Sequence, residues 1–379
     1  MKILHLYRDL LRRGGIPHQT RRLIEGQANL GNQVVSISLN GELSAEFSAA
    51  NPTVKVELIP NGFAGMAGVR NCLRRHSPEL VHITGLWIPL HQLWTYEVVR
   101  AGIPYVVSTH GNLSPIGMKV RFGEKKVNFY HIWAKRLWHR GFDLPLLRHS
   151  AGVHAHSNYE LQLLTSAGIS NVFVAPVGVD DDWLNLADVG ERHYHKRVTF
   201  LHLGRLDIYH KGLDLICEAA HKLVAAGLGT RCKFLFVGPT VKGSRATLQR
   251  MADELGSGVL EVRDPVWDKD KLPIWQEADY FLNLYRFAGI ALAPCEAIGR
   301  GLPLLASREG NLGDWTVDAN MGWTVPLDSE SICTLIKKIL NLSETDYHRL
   351  SSNALKFART NSWTNIGQHV IAGYSGLLN

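Results

Sequence analysis

Thirteen short apolar runs, arranged in two series, constrain this chain more than any other feature. The first series falls at Lys2–Tyr7, Gln33–Leu39, Val54–Ile59, Leu80–Ile83, Tyr105–Thr109, Gly152–His156 and Val172–Ala175. The second begins after Pro176-Val177-Gly178-Val179-Asp180, at Val198–Leu203, Lys233–Val237, Val259–Val262, Tyr280–Leu284, Leu302–Ala306 and Trp323–Val325. Continuous Val/Ile/Leu runs of this length suit parallel strands buried on both faces, and the segments between them hold crossover helices or Gly/Pro-rich loops. The pattern predicts an α/β protein with two doubly wound parallel-sheet domains in tandem. A length of 379 residues agrees, because single cores stop growing at roughly 250–300 residues. Ligands of such sheets bind beyond the carboxyl ends of the strands, so a cleft between two facing domains is the expected site.

Other classes are excluded quickly. No stretch approaches the roughly 18 consecutive apolar residues of a spanning helix, and Met1–Asp9 breaks into charge too early for a secretory signal. The five cysteines are scattered, odd in number and without C-x-x-C spacing, which fits a reducing cytosol and argues against a disulfide framework or a zinc site.

The net charge of +7 is uneven: residues 1–178 carry 19 Lys/Arg against 10 Asp/Glu, and the remainder 22 against 24. The excess peaks between Lys119 and Arg148, at Lys119, Arg121, Lys125, Lys126, Lys135, Arg136, Arg140 and Arg148, interleaved with Phe122, Phe129, Tyr130, Trp133, Trp138 and Phe142. Basic and aromatic side chains on one helical stretch suit an anionic membrane surface or a large phosphorylated partner; a solvated helix with its aromatics packed inward is the competing reading. No nucleic-acid-binding motif accompanies the patch, and nucleic acid is not expected as a partner.

Four motifs lie at strand ends. Gly14-Gly15 precedes a helical segment from about His18 to Leu30, where backbone amides and a helix N-terminus favour an anion. The absence of G-x-G-x-x-G counts against a dinucleotide enzyme. His110 follows the Tyr105–Thr109 run and is placed to donate to a phosphate or sugar oxygen. The Val198–Leu203 run leads into Gly204-Arg205 and Lys211-Gly212-Leu213-Asp214, two cations at a helix start that can neutralise a diphosphate. The Tyr280–Leu284 run leads through a Gly-rich loop, Ala288-Gly289-Ile290-Ala291-Leu292, to a helix carrying Glu296, a carboxylate placed to accept the hydroxyls of a ribose.

In these motifs, together with Pro78–Trp87, Glu296-Ala297 through Gly301-Leu302-Pro303, and Asn361-Ser362-Trp363, the chain resembles the retaining family-4 glycosyltransferases of the GT-B type over nearly its whole length. The resemblance implies an acceptor-binding domain at 1–178, joined by a final helix at about 362–379, and a donor-binding domain at 179–361. It assigns Arg205 and Lys211 to the donor diphosphate, Glu296 to the ribose and His110 to the donor sugar and phosphate. It implies a nucleoside diphosphate sugar, UDP- or GDP-linked, as co-substrate, no metal and no other cofactor. The acceptor it implies is a saccharide, such as a polyprenyl-diphosphate-linked oligosaccharide of polysaccharide assembly, reached in the cytoplasm with the patch on the inner face of the membrane. One departure stands out: the first glutamate of the family's paired motif falls at Ala288, and a methyl group accepts no hydrogen bond. A nucleotide-binding protein weakened in transfer, or an epimerase on the same fold, are the competing activities.

Overall fold

A computed structural model describes residues 1–378 except 40, 120–128, 185–195, 242, 257 and 288–290. The chain divides into two compact units, one formed by Met1–Lys119, Asn128–Gly178 and Asn361–Asn379, the other by Val179–Thr360.

The first unit holds a seven-stranded parallel sheet: β1 (Lys2–Leu6), β2 (Gln33–Ser38), β3 (Lys55–Leu58), β4 (Leu80–Thr84), β5 (Tyr105–Ser108), β6 (Gly152–Ala155) and β7 (Val172–Val174). Their order is β3-β2-β1-β4-β5-β6-β7. The central strands β4, β5 and β6 are buried at every residue, as their unbroken apolar runs require, whereas edge strand β3 exposes Lys55 and Leu58. The second unit repeats the plan with β8 (Val198–Leu203), β9 (Cys232–Val237), β10 (Leu260–Arg263), β11 (Tyr280–Asn283), β12 (Leu304–Ala306) and β13 (Gly322–Thr324), ordered β10-β9-β8-β11-β12-β13. Its core packs Phe200, Phe234 and Phe236 with Leu213, Ile216, Ile332 and Ile336. The strand order therefore reverses between β1 and β4 in one unit and between β8 and β11 in the other, and such switch points open a crevice at the carboxyl ends.

Five helices matter for the site: α1 (Gly15–Asn29), α2 (Asn158–Ser166), α3 (Leu213–Ala225), α4 (Leu292–Gly299) and α5 (Trp363–Leu378). α1 begins three residues earlier than the sequence pattern suggested, directly on the Gly14-Gly15 pair. α5 belongs to the first unit and crosses α1 at two glycines. A Cβ on Gly26 would lie 2.4 Å from the Trp363 carbonyl oxygen, and one on Gly367 would lie 3.0 Å from the Gly26 carbonyl carbon. No described helix is long and apolar enough to cross a membrane. All five cysteines are buried and free.

Beneath this crossing runs a polar chain that the apolar pattern concealed. His5 is bonded through Nε2 to Gln27 Oε1 (2.7 Å), Gln27 donates to the Tyr374 hydroxyl (3.2 Å), and that hydroxyl meets His82 Nδ1. His82 Nε2 is bonded to Ser108 Oγ (2.5 Å), Ser108 to His154 Nδ1 (3.1 Å), and His154 Nε2 to the Ala175 carbonyl (3.1 Å). A carbonyl only accepts, so one consistent set of donors runs from Gln27 to Ala175, with His82 and His154 each neutral and protonated on Nε2. Burial depresses the imidazoles accordingly: His5 and His154 to about 4, His91 and His110 to about 3, and His82 well below its usual range.

These histidines set an acid limit on stability. A group with a lower pKa folded than unfolded binds fewer protons in the native state, so stability is complete above about pH 6.5 and falls as pH drops toward 4. Each such histidine contributes up to about 1.4 kcal/mol per pH unit over that interval. The melting temperature is expected to decline steeply between pH 6.5 and 4.5, and a flat profile there would contradict the neutral assignment.

Candidate functional site

The richest constellation lies at the β8/β11 switch point of the second unit. β8 ends in Gly204-Arg205, and the loop turns back through Asp207–Gly212 into α3. At Gly212 the backbone has φ 66°, and a Cβ would sit 2.2 Å from the Leu284 carbonyl oxygen, so only glycine lets this loop lie against the end of β11. The approach brings Lys211 over the ring of Tyr285, 3.6 Å from its centroid. Lys211 is buried, and no described carboxylate is within ion-pairing distance of its ammonium. Burial first and the Arg205 charge second pull its pKa down to about 7, with Asp207 opposing through space.

Arg205 is exposed at the mouth of the same loop, its guanidinium 3.2 Å from His210 Nδ1. His210 Nε2 is 2.6 Å from the Phe287 carbonyl, so Nε2 carries the proton and Nδ1 accepts from Arg205. Burial, then Lys211 and Arg205, hold His210 far below its usual pKa, hence neutral. Arg286, by contrast, is sealed in structure. It donates to both Asp214 oxygens (2.6 and 3.0 Å) and to the Tyr209 carbonyl (2.6 Å), tying the β11 loop to the first turn of α3.

Glu296 lies on α4, buried, with Lys271 Nζ 3.0 Å from each carboxylate oxygen. Trp183 lies beneath both Lys271 (5.5 Å) and Arg300 (5.0 Å). Sequence reasoning missed Lys271, Tyr285 and His210. Tyr285 was open to discovery, as the residue just past a predicted strand; Lys271 was not, because nothing local links it to a glutamate twenty-five residues on. Ala291 and Leu292 form the start of α4. Ala288, Gly289 and Ile290 lie outside the described residues.

In the first unit, Gly14 is the residue capping α1, and its carbonyl accepts from His18 (3.0 Å). His110 follows β5 with a left-handed φ of 49°, a conformation that costs a non-glycine residue about 1–2 kcal/mol. Its ring packs 4.6 Å from that of His156, with Nδ1 buried and without a hydrogen-bond partner.

Part of the basic-aromatic stretch lies among the described residues. Helix Phe129–Trp138 buries none of its residues: Tyr130 is 84% exposed, Phe129 69%, Leu137 60% and Trp133 52%. Phe129, Tyr130 and Trp133 therefore do not pack inward, whereas Trp138 is half-buried. Arg136, Arg140 and Lys119 are exposed beside them, while Lys135 donates to the Gly117 carbonyl (2.8 Å). Buried Asp143, the last residue of a π-helical turn, accepts from Trp138 Nε1 (3.2 Å) and from the Trp87 amide (3.4 Å), anchoring the stretch beside the end of β4. Arg121, Lys125 and Lys126 lie outside the described residues.

One group among the described residues has metal-ligand spacing: Glu57, Cys72 and His76, whose ligand atoms all lie within 4.8 Å of one another. Glu57 Oε1 is already shared by Arg75 and His76, each at 2.8 Å, and burial pushes the Cys72 thiol up to about 12. The group is an ion-pair cluster rather than a prepared cation site.

Comparison with known proteins bears on this architecture as a whole. Residues 13–183 match the model of Glycosyltransferase Family 4, and residues 197–343 that of Glycosyl transferases group 1. No curated protein sequence matches the chain. Among solved structures it is similar to sucrose-phosphate synthase from Thermosynechococcus elongatus (15% identity, TM-score 0.73, covering 99% of this chain and 98% of that one). It is similar to HepE of Anabaena in complex with UDP-glucose (16% identity, TM-score 0.68, covering 99% and 100%) and to WaaG, a glycosyltransferase involved in lipopolysaccharide biosynthesis (15% identity, TM-score 0.66, covering 97% and 98%). Two matched models in tandem, on two parallel Rossmann-like sheets, place the chain among the glycosyltransferases of the GT-B fold, with a family 4 domain followed by a group 1 domain.

Proposed function

We propose that this glycosyltransferase moves a hexose from a nucleoside diphosphate sugar to a hydroxyl of a saccharide acceptor, with retention at the anomeric carbon and without a metal. The observation that carries the reading is buried Lys211, held over Tyr285 beside Arg205 with no carboxylate among the described residues to pair it. Burying a cation in this way is costly unless an anion arrives to match it, and a diphosphate does so at a helix start. Arg205, oriented by neutral His210, supplies the second, exposed cation. Glu296 accepts the ribose hydroxyls, and Gly14, Gly15, Gly204, Ala291 and Leu292 bring backbone close to the donor. UDP is favoured as the carrier because HepE, similar in fold, was solved with UDP-glucose; GDP is the alternative.

In the transfer, the bond between the anomeric carbon and the diphosphate oxygen breaks as the acceptor oxygen bonds to the same face of that carbon. The acceptor proton passes to the departing diphosphate oxygen. Charge builds on the diphosphate, and the two cations with the α3 amides stabilise it, so no metal is required for that step. His110, neutral, donates one N–H to the donor sugar or phosphate. Arg205→Ala and Lys211→Ala should each lower kcat/KM by at least about 100-fold with little change in melting temperature. Near-normal turnover in both would overturn the assignment. If Ala288 has instead left a protein that binds nucleotide without transferring sugar, bare UDP or GDP will raise the melting temperature as much as any conjugate and no transfer will be seen.

Lys211 also predicts the pH dependence of binding. Its pKa near 7 in the free protein must rise when a diphosphate pairs with it, so binding takes up a proton above pH 7. Affinity for UDP should be greatest below pH 7 and weaken as pH rises. Calorimetry at pH 8 in two buffers of different ionisation enthalpy should reveal the uptake, and Lys211→Met should abolish it.

The acceptor proposed is lipid-linked, for a protein resting on the cytoplasmic face of a membrane and serving polysaccharide assembly. The exposed face of Phe129, Tyr130, Trp133 and Leu137, flanked by Arg136 and Arg140, supports this. Vesicles containing anionic lipid should bind the protein in a salt-sensitive manner, and Trp133→Ser with Arg136→Glu should reduce that binding at least tenfold. Salt-independent or absent binding would remove the membrane while leaving the transferase intact.

A further inference from the structure

The first unit holds a buried carboxylate that the transfer chemistry does not use. Glu160 is fully buried on α2, three residues after Ser157, whose side chain caps that helix by accepting from the Glu160 amide (3.1 Å). A Ser-x-x-Glu pair at a helix start ordinarily turns the carboxylate back to the capping residue's own amide. Here Oε2 accepts instead from the His156 amide (2.8 Å), and Oε1 reaches across to the end of β5. There it accepts from the Gly111 amide (2.6 Å) and from the Thr109 hydroxyl. The two β5 partners flank His110 on either side.

We infer that Glu160 is the positioning residue of His110, holding it in its left-handed conformation with the imidazole turned against His156. The inference rests on the reading of His110 as a group that touches the donor. His110 at φ 49° is followed by Gly111 at φ 72°, so two successive residues are left-handed, and one of them is not glycine. A loop in that state needs bonds at both ends to persist. The carboxylate provides them from a single rigid point, because α2 is fixed by its cap and by the sheet. Burial raises the Glu160 pKa, while the three donors oppose the rise; backbone amides only donate, so both oxygens must accept. An amide in place of the carboxylate turns its NH2 either to the Gly111 amide or to the His156 amide, and either leaves two donors facing each other.

The test is Glu160→Gln, with His110→Ala and the double variant. NMR titration of the histidine rings is the readout that needs no substrate. In the unsubstituted protein His110 stays neutral down to about pH 4. In Glu160→Gln its pKa should move at least one unit toward 6.5, while His5 and His91, which share the fold but not the loop, stay put. With the nucleotide sugar that gives the largest melting shift among UDP- and GDP-hexoses, kcat should fall 10- to 50-fold in Glu160→Gln, with the Kd for the bare nucleotide unchanged within twofold. The double variant should be no slower than His110→Ala. An unmoved His110 titration, or losses that multiply in the double variant, would overturn the inference. If His110→Ala alone keeps full activity, the reading of His110 fails, and the role of Glu160 in transfer fails with it. Should Glu160→Gln not fold, Thr109→Val removes one of the three donors and should shift the same His110 resonance alone; no shift would be equally decisive.

Discussion

Both sheets are parallel and covered on both faces, and this confinement dictates where anything polar can act. The backbone groups of each central strand are spent in the ladder, and the side chains alternate into two apolar layers. Chemistry is therefore pushed to the loops at the carboxyl ends, and above all to the points where the strand order reverses. In the second unit that point lies between β8 and β11, where the Lys211 loop and Tyr285 meet. Gly212 makes the meeting possible, because no side chain fits between the loop and the Leu284 carbonyl.

Polar groups that do go under the surface are treated in two opposite ways. In the first unit, His5, His82 and His154 on β1, β4 and β6, with Ser108 on the intervening β5, are linked through Gln27 and Tyr374 into a neutral chain, each donor matched to an acceptor until a carbonyl ends it. Satisfied in this way, the chain costs little and fixes the position of α5 through Tyr374. In the second unit the ammonium of Lys211 is left with a π face and a neighbouring positive charge. The contrast with Arg286 is instructive. Both residues are cations at the end of the same crevice, yet Arg286 is neutralised by a bidentate carboxylate and Lys211 is not. A cation matched at home has a structural task, whereas one held unmatched is what the proposed diphosphate site calls for.

Much of this was legible in the residues. Strands announced themselves because burial on both faces demands continuous apolar runs, and their predicted and observed limits differ by a residue or two where runs such as Leu302–Ala306 include the turn that precedes the strand. The cations Arg205 and Lys211 were legible because they sit beside glycines at a strand end. The partners that tune them were not: His210 reads as one histidine among eighteen, and its role emerges only from the carbonyl that fixes its tautomer. Glu160 carried a visible cap signature, Ser157-x-x-Glu160, but the signature foretells a local bond, and the carboxylate spends itself on a distant loop. The exposed aromatics of helix Phe129–Trp138 were ambiguous in sequence because amphipathic spacing is the same whether the apolar face meets a core or the outside.

The pairing of Glu296 with Lys271 bears on the departure at Ala288. A carboxylate offers four lone-pair directions, and an ammonium bridging its two oxygens takes two of them. The ribose-binding role proposed for Glu296 would add the sugar hydroxyls to that pairing. Lys271 holds the carboxylate in one orientation, which is what the ribose-binding role proposed for Glu296 asks of it. At 288 the side chain is a methyl group, with no lone pair to offer a hexose. Of the two carboxylates in the family's paired motif, this chain keeps the one at 296 and carries alanine at 288. On the function proposed above, nucleotide affinity stays with Glu296, while discrimination of the sugar passes to residues other than 288.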